Sequence, residues 1–255
     1  MQVEICVDSA ESAIAAERGG AQRVELCSDL LEGGITPSAG LIALVRERIG
    51  IHLFVMIRPR GGDFCYSELE IELMQRDIRQ ARELGADGVI LGVLDERARV
   101  DVEPTRRLVE LAQPLPVTFH RAVDMTPNLH EALEDVVATG ARRVLTSGGA
   151  ARVTEGMEAV ACMVKAAGDR IAVMAGGGVT PDTIAAVAEG TGATEFHASL
   201  RTARPSPVEF RRQDVQMGEI RDREYVRYAV EESHVRALTQ AARRVLEERA
   251  AAGPR

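Results

Sequence analysis

Four times in this chain a glycine-alanine pair closes an amphipathic stretch and a short apolar run follows. Gly20-Ala21 precedes Val24 and Leu26, Gly85-Ala86 precedes Val89 to Leu91, Gly140-Ala141 precedes Val144-Leu145, and Gly192-Ala193 precedes Phe196. Glycine accepts the left-handed backbone that ends a helix. The run that follows is short and often β-branched, and reads as a strand. Four more apolar runs, at 3–7, 53–57, 117–120 and 171–174, lie between these. The chain therefore reads as four copies of a strand-helix-strand-helix unit. Alternation of this kind predicts a parallel α/β sheet. Eight strand-helix pairs within 255 residues predict a closed TIM (β/α)8 barrel inside a ring of helices.

Helix signals agree. Asp8-Ser9-Ala10-Glu11 reads as an N-cap with an acid three residues on, and Ser67 forms a capping box with Glu70. Thr126-Pro127 and Thr180-Pro181 place a cap residue before a proline. Ile71, Met74, Ile78 and Ala81 recur at helical spacing, as do Leu129, Leu133, Val136 and Val137. No linker or low-complexity tract divides the chain, so 1–255 is expected to be one domain. Residues 200–230 lack a regular pattern, and a closing helix is expected over 233–249.

Composition excludes several classes. A net charge of −8 with scattered basic residues and 3% aromatics argues against a nucleic-acid partner. No run of about 18 apolar residues suggests a membrane span. Met1 runs straight into the first strand without a secretory pattern. The four cysteines, Cys6, Cys27, Cys65 and Cys162, form no CxxC and no disulfide framework. They are expected to be free thiols in the reducing cytoplasm.

Strand side chains alternate. The helix layer takes the aliphatic set: Val3, Ile5, Val7, Val24, Leu26, Val55, Ile57, Val117, Phe119 and Phe196. The opposite parity turns Glu4, Cys6, Asp8, Glu25, Cys27, Met56, Arg58, Thr118, His120, Glu195 and His197 toward the barrel axis. Such a lumen is polar where barrels normally carry branched aliphatics. Buried charge is costly unless it is paired or used. One outcome is a self-satisfied salt network, Glu4 or Glu25 with Arg58. The other is a site, because Cys6, Cys27, Arg58, His120 and His197 fall at the C-terminal strand ends, where barrel active sites form.

At these strand ends the sequence resembles the CutC family of copper homeostasis proteins. The matching blocks begin with EICVDS at 4–9, RVELCS at 23–28, EGGITPS at 32–38 and FVMIRPRGGDF at 54–64. They continue with PLPVTFHRA at 114–122, RVLTSGG at 143–149, VMAGGGV at 173–179 and EFHAS at 195–199. The resemblance implies a TIM barrel, a cytosolic homo-oligomer (dimer or tetramer), and a Cu(I) site on the cysteines of the CVDS and ELCS blocks, Cys6 and Cys27. It gives no metal role to Cys65 or Cys162, and no organic cofactor is expected.

Two readings follow. Cu(I) is soft and takes thiolate or thioether ligands. Cys6 and Cys27 lie on neighbouring strands about 5 Å apart, with Met56 available as a third sulfur and Arg58 favouring the thiolate. The alternative use of two buried cysteines is simple packing. The second reading is an enzyme, a lyase, isomerase or hydrolase of a small phosphorylated or carboxylated metabolite. Glu25, Arg58, His120 and His197 are its catalytic candidates, with Asp124 orienting His120. The turns Ser147-Gly148-Gly149 and Gly176-Gly177-Gly178 would offer backbone N–H groups to an anion. No segment specifies a reaction, and fold alone implies none.

Overall fold

The computed structural model describes residues 1–212, 214–218, 220 and 223–252. Eight parallel strands close into a barrel in sequence order: β1 (Gln2–Val7), β2 (Arg23–Leu26), β3 (His52–Met56), β4 (Gly88–Leu91), β5 (Val117–Phe119), β6 (Arg143–Thr146), β7 (Ala172–Gly176) and β8 (Glu195–Ala198). β8 returns to pair with β1, placing His197 beside Glu4, while Cys6 sits beside Glu25 across β1 and β2. The helices between the strands are α1 (Ala10–Arg18), α2 (Ala39–Arg48), α3 (Glu68–Glu83), α4 (Val102–Ala112), α5 (Leu129–Ala138), α6 (Met157–Ala167) and α7 (Ile184–Thr191). The last helix, α8 (Glu232–Ala252), packs against α1 and α7. No helix of the described residues is long and apolar enough to cross a membrane.

The glycines of the four glycine-alanine pairs all hold positive φ: 90° at Gly20, 84° at Gly85, 83° at Gly140 and 72° at Gly192. A side chain there would be strained, so these positions reverse the chain from helix into strand. Ser9 caps α1, and Ser67 with Glu70 forms the expected capping box on α3. Two caps fall later than the sequence suggests. Asn128 rather than Thr126 caps α5, accepting from the N–H groups of His130 and Glu131. α7 starts only at Ile184. The prolines at 127 and 181 therefore lie in the turns that lead into the helices, where their fixed φ also fits.

Two apolar clusters report the strand parity directly. The large one joins Val3, Ile5, Val7, Val24, Leu26, Val55, Ile57, Phe119 and Phe196 to the helix faces. The small one lies inside the barrel: Cys6, Cys27, Phe54, Met56 and Ile90, with Leu30 packed on it. Residues 200–230 are partly regular. β9 (Arg201–Pro205) and β10 (Val226–Val230) form an antiparallel ribbon. The Val230 N–H donates to Ser12 Oγ at 3.2 Å, which ties the ribbon to the start of α1.

Candidate functional site

The inward-facing side chains form two layers. The lower layer lies toward the strand N-termini. Arg23 bridges Glu4 and Glu195, the second at 2.8 Å, and Arg143 donates to Glu195 at 2.5 Å and to Thr118 at 3.1 Å. Both guanidiniums lie over the Phe54 ring, 4.9 and 5.6 Å from its centroid. Burial alone would raise the Glu4 carboxyl, but Arg23 and His197 outweigh it and bring its pKa down to about 2. The charges in this layer are thus paired, as buried charges must be. The expected pairing of Glu4 or Glu25 with Arg58 does not form. Arg23, two residues before Glu25 on β2, partners Glu4 and Glu195, Arg143 partners Glu195, and Glu25 has His197 as its nearest charged neighbour.

The upper layer holds the sulfurs. Cys6 is the second-last residue of β1, and Cys27 follows β2 directly, its N–H bonded to Val7 O at 2.9 Å. The Cys6 and Cys27 sulfurs and a Glu25 oxygen all lie within 4.8 Å of one another, and all three residues are buried. Gly34, at φ 96°, brings its loop so close that a Cβ there would stand 3.0 Å from Cys27 Sγ. His197 bonds Glu4 through Nδ1 at 2.7 Å and reaches Glu25 through Nε2 at 3.6 Å.

Electrostatics split the two thiols. A hydrogen bond from Cys27, against the cost of burial and with help from His197, lowers the Cys6 pKa to about 5. Burial and the adjacent Cys6 push Cys27 well above the usual thiol range. The two thiols therefore titrate as a coupled pair, with Cys6 the one favoured as thiolate. Burial and the Cys6 thiolate also raise Glu25 and favour its neutral form. Burial disfavours the His197 cation, but Glu25, Cys6 and Glu4 outweigh it and raise its pKa above the usual imidazole value.

Above the sulfurs opens a cavity of about 330 Å³, lined among others by Cys6, Glu25, Met56, Arg58, His120 and His197. Arg58 is occupied in holding loops. Its Nη1 donates to the carbonyls of Glu32 (2.6 Å) and Gly34 (3.0 Å), its Nη2 to Gly62 O (2.8 Å), and it stacks on Phe64. His120 accepts the Ala122 N–H at Nδ1 (3.2 Å), and burial and Arg58 lower its pKa to about 3. It is a neutral imidazole.

Asp124 does not orient His120. Its carboxylate, 5% exposed, takes the Thr146 hydroxyl (2.5 Å), the N–H groups of Ser147 and Gly149, and Arg121 (2.8 Å). Gly148 N–H turns to Thr146 Oγ1. The glycine-rich turn after β6 thus receives its anion from within the chain. The turn after β7 lies beside it: a Cβ on Gly177 would stand 3.0 Å from Ser147 Cβ, and one on Gly176 would meet His197 and Leu145. Position 124 lies in a 3-10 turn (Arg121–Met125), where strand alternation no longer predicts direction. Cys65 is half-buried and Cys162 exposed, and neither belongs to the lumen.

The model of the CutC family matches residues 1–202. A mouse protein named copper homeostasis protein cutC homolog is 49% identical over 245 residues, covering 96% of this chain and 90% of the relative. Its human counterpart of the same name is 47% identical over the same span. The crystal structure of a putative copper homeostasis protein CutC from Streptococcus agalactiae superposes with a TM-score of 0.73 at 35% identity, covering 77% of this chain and 97% of that one. Layered lumen, sulfur pair and sequence likeness converge: this chain belongs to the CutC family.

Proposed function

We propose that this protein serves copper homeostasis by taking up Cu(I) on Cys6 and Cys27 at the mouth of the barrel. The observation that carries this reading is the convergence of two buried sulfurs from neighbouring strands, one already favoured as thiolate. A soft monovalent ion fits such a donor set, and the Met56 thioether in the same inner cluster supplies a third soft atom. The family membership and the copper homeostasis names of the relatives support the same reading.

The division of labour follows from burial. Cys6 borders the cavity and meets the ion first. Cys27 lies beneath it and gives up its proton on binding, so uptake releases protons. The reading carries with it a reducing cytoplasm, because a disulfide would remove both ligands. It also keeps the expectation of a homo-oligomer. Anaerobic Cu(I) titration against a chromogenic competitor tests it. Tight binding by the native chain and its loss in Cys6→Ser with Cys27→Ser are expected. Unchanged stoichiometry in the double variant overturns the reading.

A further inference from the structure

We infer that Cys6, Cys27, Glu25 and His197 together form a site for a borderline divalent cation, Zn(II) foremost. The inference rests on the reading above only in taking Cys6 and Cys27 as metal ligands. It adds a carboxylate and an imidazole, donors that suit Zn(II) and that a soft monovalent ion does not need.

The sequence builds this set from a repeated pair. Glu4-Ile5-Cys6 on β1 and Glu25-Leu26-Cys27 at the end of β2 each turn a carboxylate and a thiol inward, two residues apart. The register puts Cys6 level with Glu25, and Glu4 level with His197 on β8. Two groups of metal-ligating side chains result among the described residues. In one, Cys6, Glu25 and Cys27 bring their donor atoms within 4.8 Å of one another, and in the other Glu4, Glu25 and His197 do the same. Glu25 belongs to both and joins them. Glu4 is committed, one oxygen to Arg23 and the other to His197, so an ion is drawn to the sulfur side.

The spacing fits a tetrahedral dication. With bonds of about 2.0–2.3 Å, Zn(II) holds its donors roughly 3.3–3.8 Å apart. His197 Nε2 already stands 3.6 Å from a Glu25 oxygen. The sulfurs and the Glu25 oxygen need to close by no more than about 1 Å to reach that range. His197 also has the support that zinc-bound histidines carry. Its Nδ1 is bonded to Glu4 at 2.7 Å, and Arg23 fixes Glu4 in turn. A carboxylate on the far ring nitrogen orients the imidazole and leaves Nε2 for the ion. A dication neutralises more of two thiolates and a carboxylate than a monovalent ion does. Cys6, Glu25 and His197 all line the cavity of about 330 Å³, which gives the ion its way in.

The test uses the reduced, metal-free full chain under anaerobic conditions, with Co(II) as the spectroscopic probe and Zn(II) as its competitor. Co(II) is expected to give a saturable sulfur-to-cobalt band in the near ultraviolet and the strong visible bands of a tetrahedral ion, and equimolar Zn(II) to erase them. Glu25→Gln and His197→Gln, each checked for folding by its urea midpoint, are expected to change the visible bands. Each should weaken Zn(II) binding, read against a chromophoric chelator, by at least the roughly 10–100-fold typical of outer-shell partners. Cys6→Ser is expected to lose the sulfur band, and its persistence there would assign it to Cys65 or Cys162, which lie outside the lumen, and overturn the inference. Absence of the bands in the native chain, or an unchanged spectrum and Zn(II) affinity in either folded variant at 25 or 197, overturns it as well. Cu(I) titration of the same sample separates the two readings. Zn(II) bound with Cu(I) refused leaves this inference standing and removes the copper reading, while Cu(I) bound without Co(II) bands does the reverse.

Discussion

The two layers of the lumen are built from the same residue types and behave in opposite ways. In the lower one, Glu4, Arg23, Glu195 and Arg143 satisfy one another, and Phe54 covers the guanidiniums. In the upper one, Glu25, Arg58 and His120 each keep an atom without a partner, and two cysteines are pushed in opposite directions. The difference teaches where function can reside. A closed set of buried charges can only hold the barrel together. An open set leaves polar atoms over, and it is there that a site can form.

The sharpest way to break this contrast is to damage the lower layer. Arg23→Met leaves the buried Glu4 and part of Glu195 without their cation, and should cost about 3–5 kcal/mol in urea denaturation. A cost near zero would show that the lower layer does not hold the fold. Next in size is Asp124→Ala, which strips the β6 turn of its internal anion. It should lower stability by about 2–3 kcal/mol, read as a shift in denaturation midpoint.

The third test uses pH. His120 binds its proton only near pH 3 when folded, against an ordinary 6.5. Between those values the unfolded chain binds a proton that the folded chain does not, so stability falls as pH drops below 6.5. Glu4, lowered from 4.5 to about 2, adds a loss of the same sign at lower pH. In His120→Phe the loss between 6.5 and 4.5 should shrink, and the difference between the two denaturation curves isolates this residue. Superimposable curves would contradict the neutral, buried imidazole. The smallest effect is expected for Glu25→Gln. Because burial and Cys6 push this carboxyl toward its neutral form and one oxygen is unpartnered, an isosteric amide should change stability by less than about 1 kcal/mol. A loss as large as that of Arg23→Met would erase the distinction between the layers.

The barrel was legible in the sequence because its signal is repeated. Four helix-ending glycines and the alternation of Val3, Ile5 and Val7 against Glu4 and Cys6 each state the same architecture. The same alternation brought Cys6, Cys27, Met56 and His120 to one end. It did not give the partners: past β3 and β5, Arg58 and Asp124 are held by loop carbonyls and turn N–H groups, which a periodicity of two does not describe. Arg23 and Arg143 were missed for another reason: each begins its strand, where an arginine reads as a boundary residue rather than as half of a buried pair. The ribbon was missed because Arg201 to Pro205 carries no apolar face, and its pairing with Val226–Val230 is non-local.

That ribbon has a consequence for diversification. The family pattern spans 1–202, yet Arg201, the first residue of β9, borders the chamber and pairs with Asp8 at 3.3 Å. One stretch of wall is thus anchored to a segment lying almost wholly beyond the residues the family model matches. Lengthening or reshaping that appendage would retune what enters the barrel while leaving all eight staves untouched.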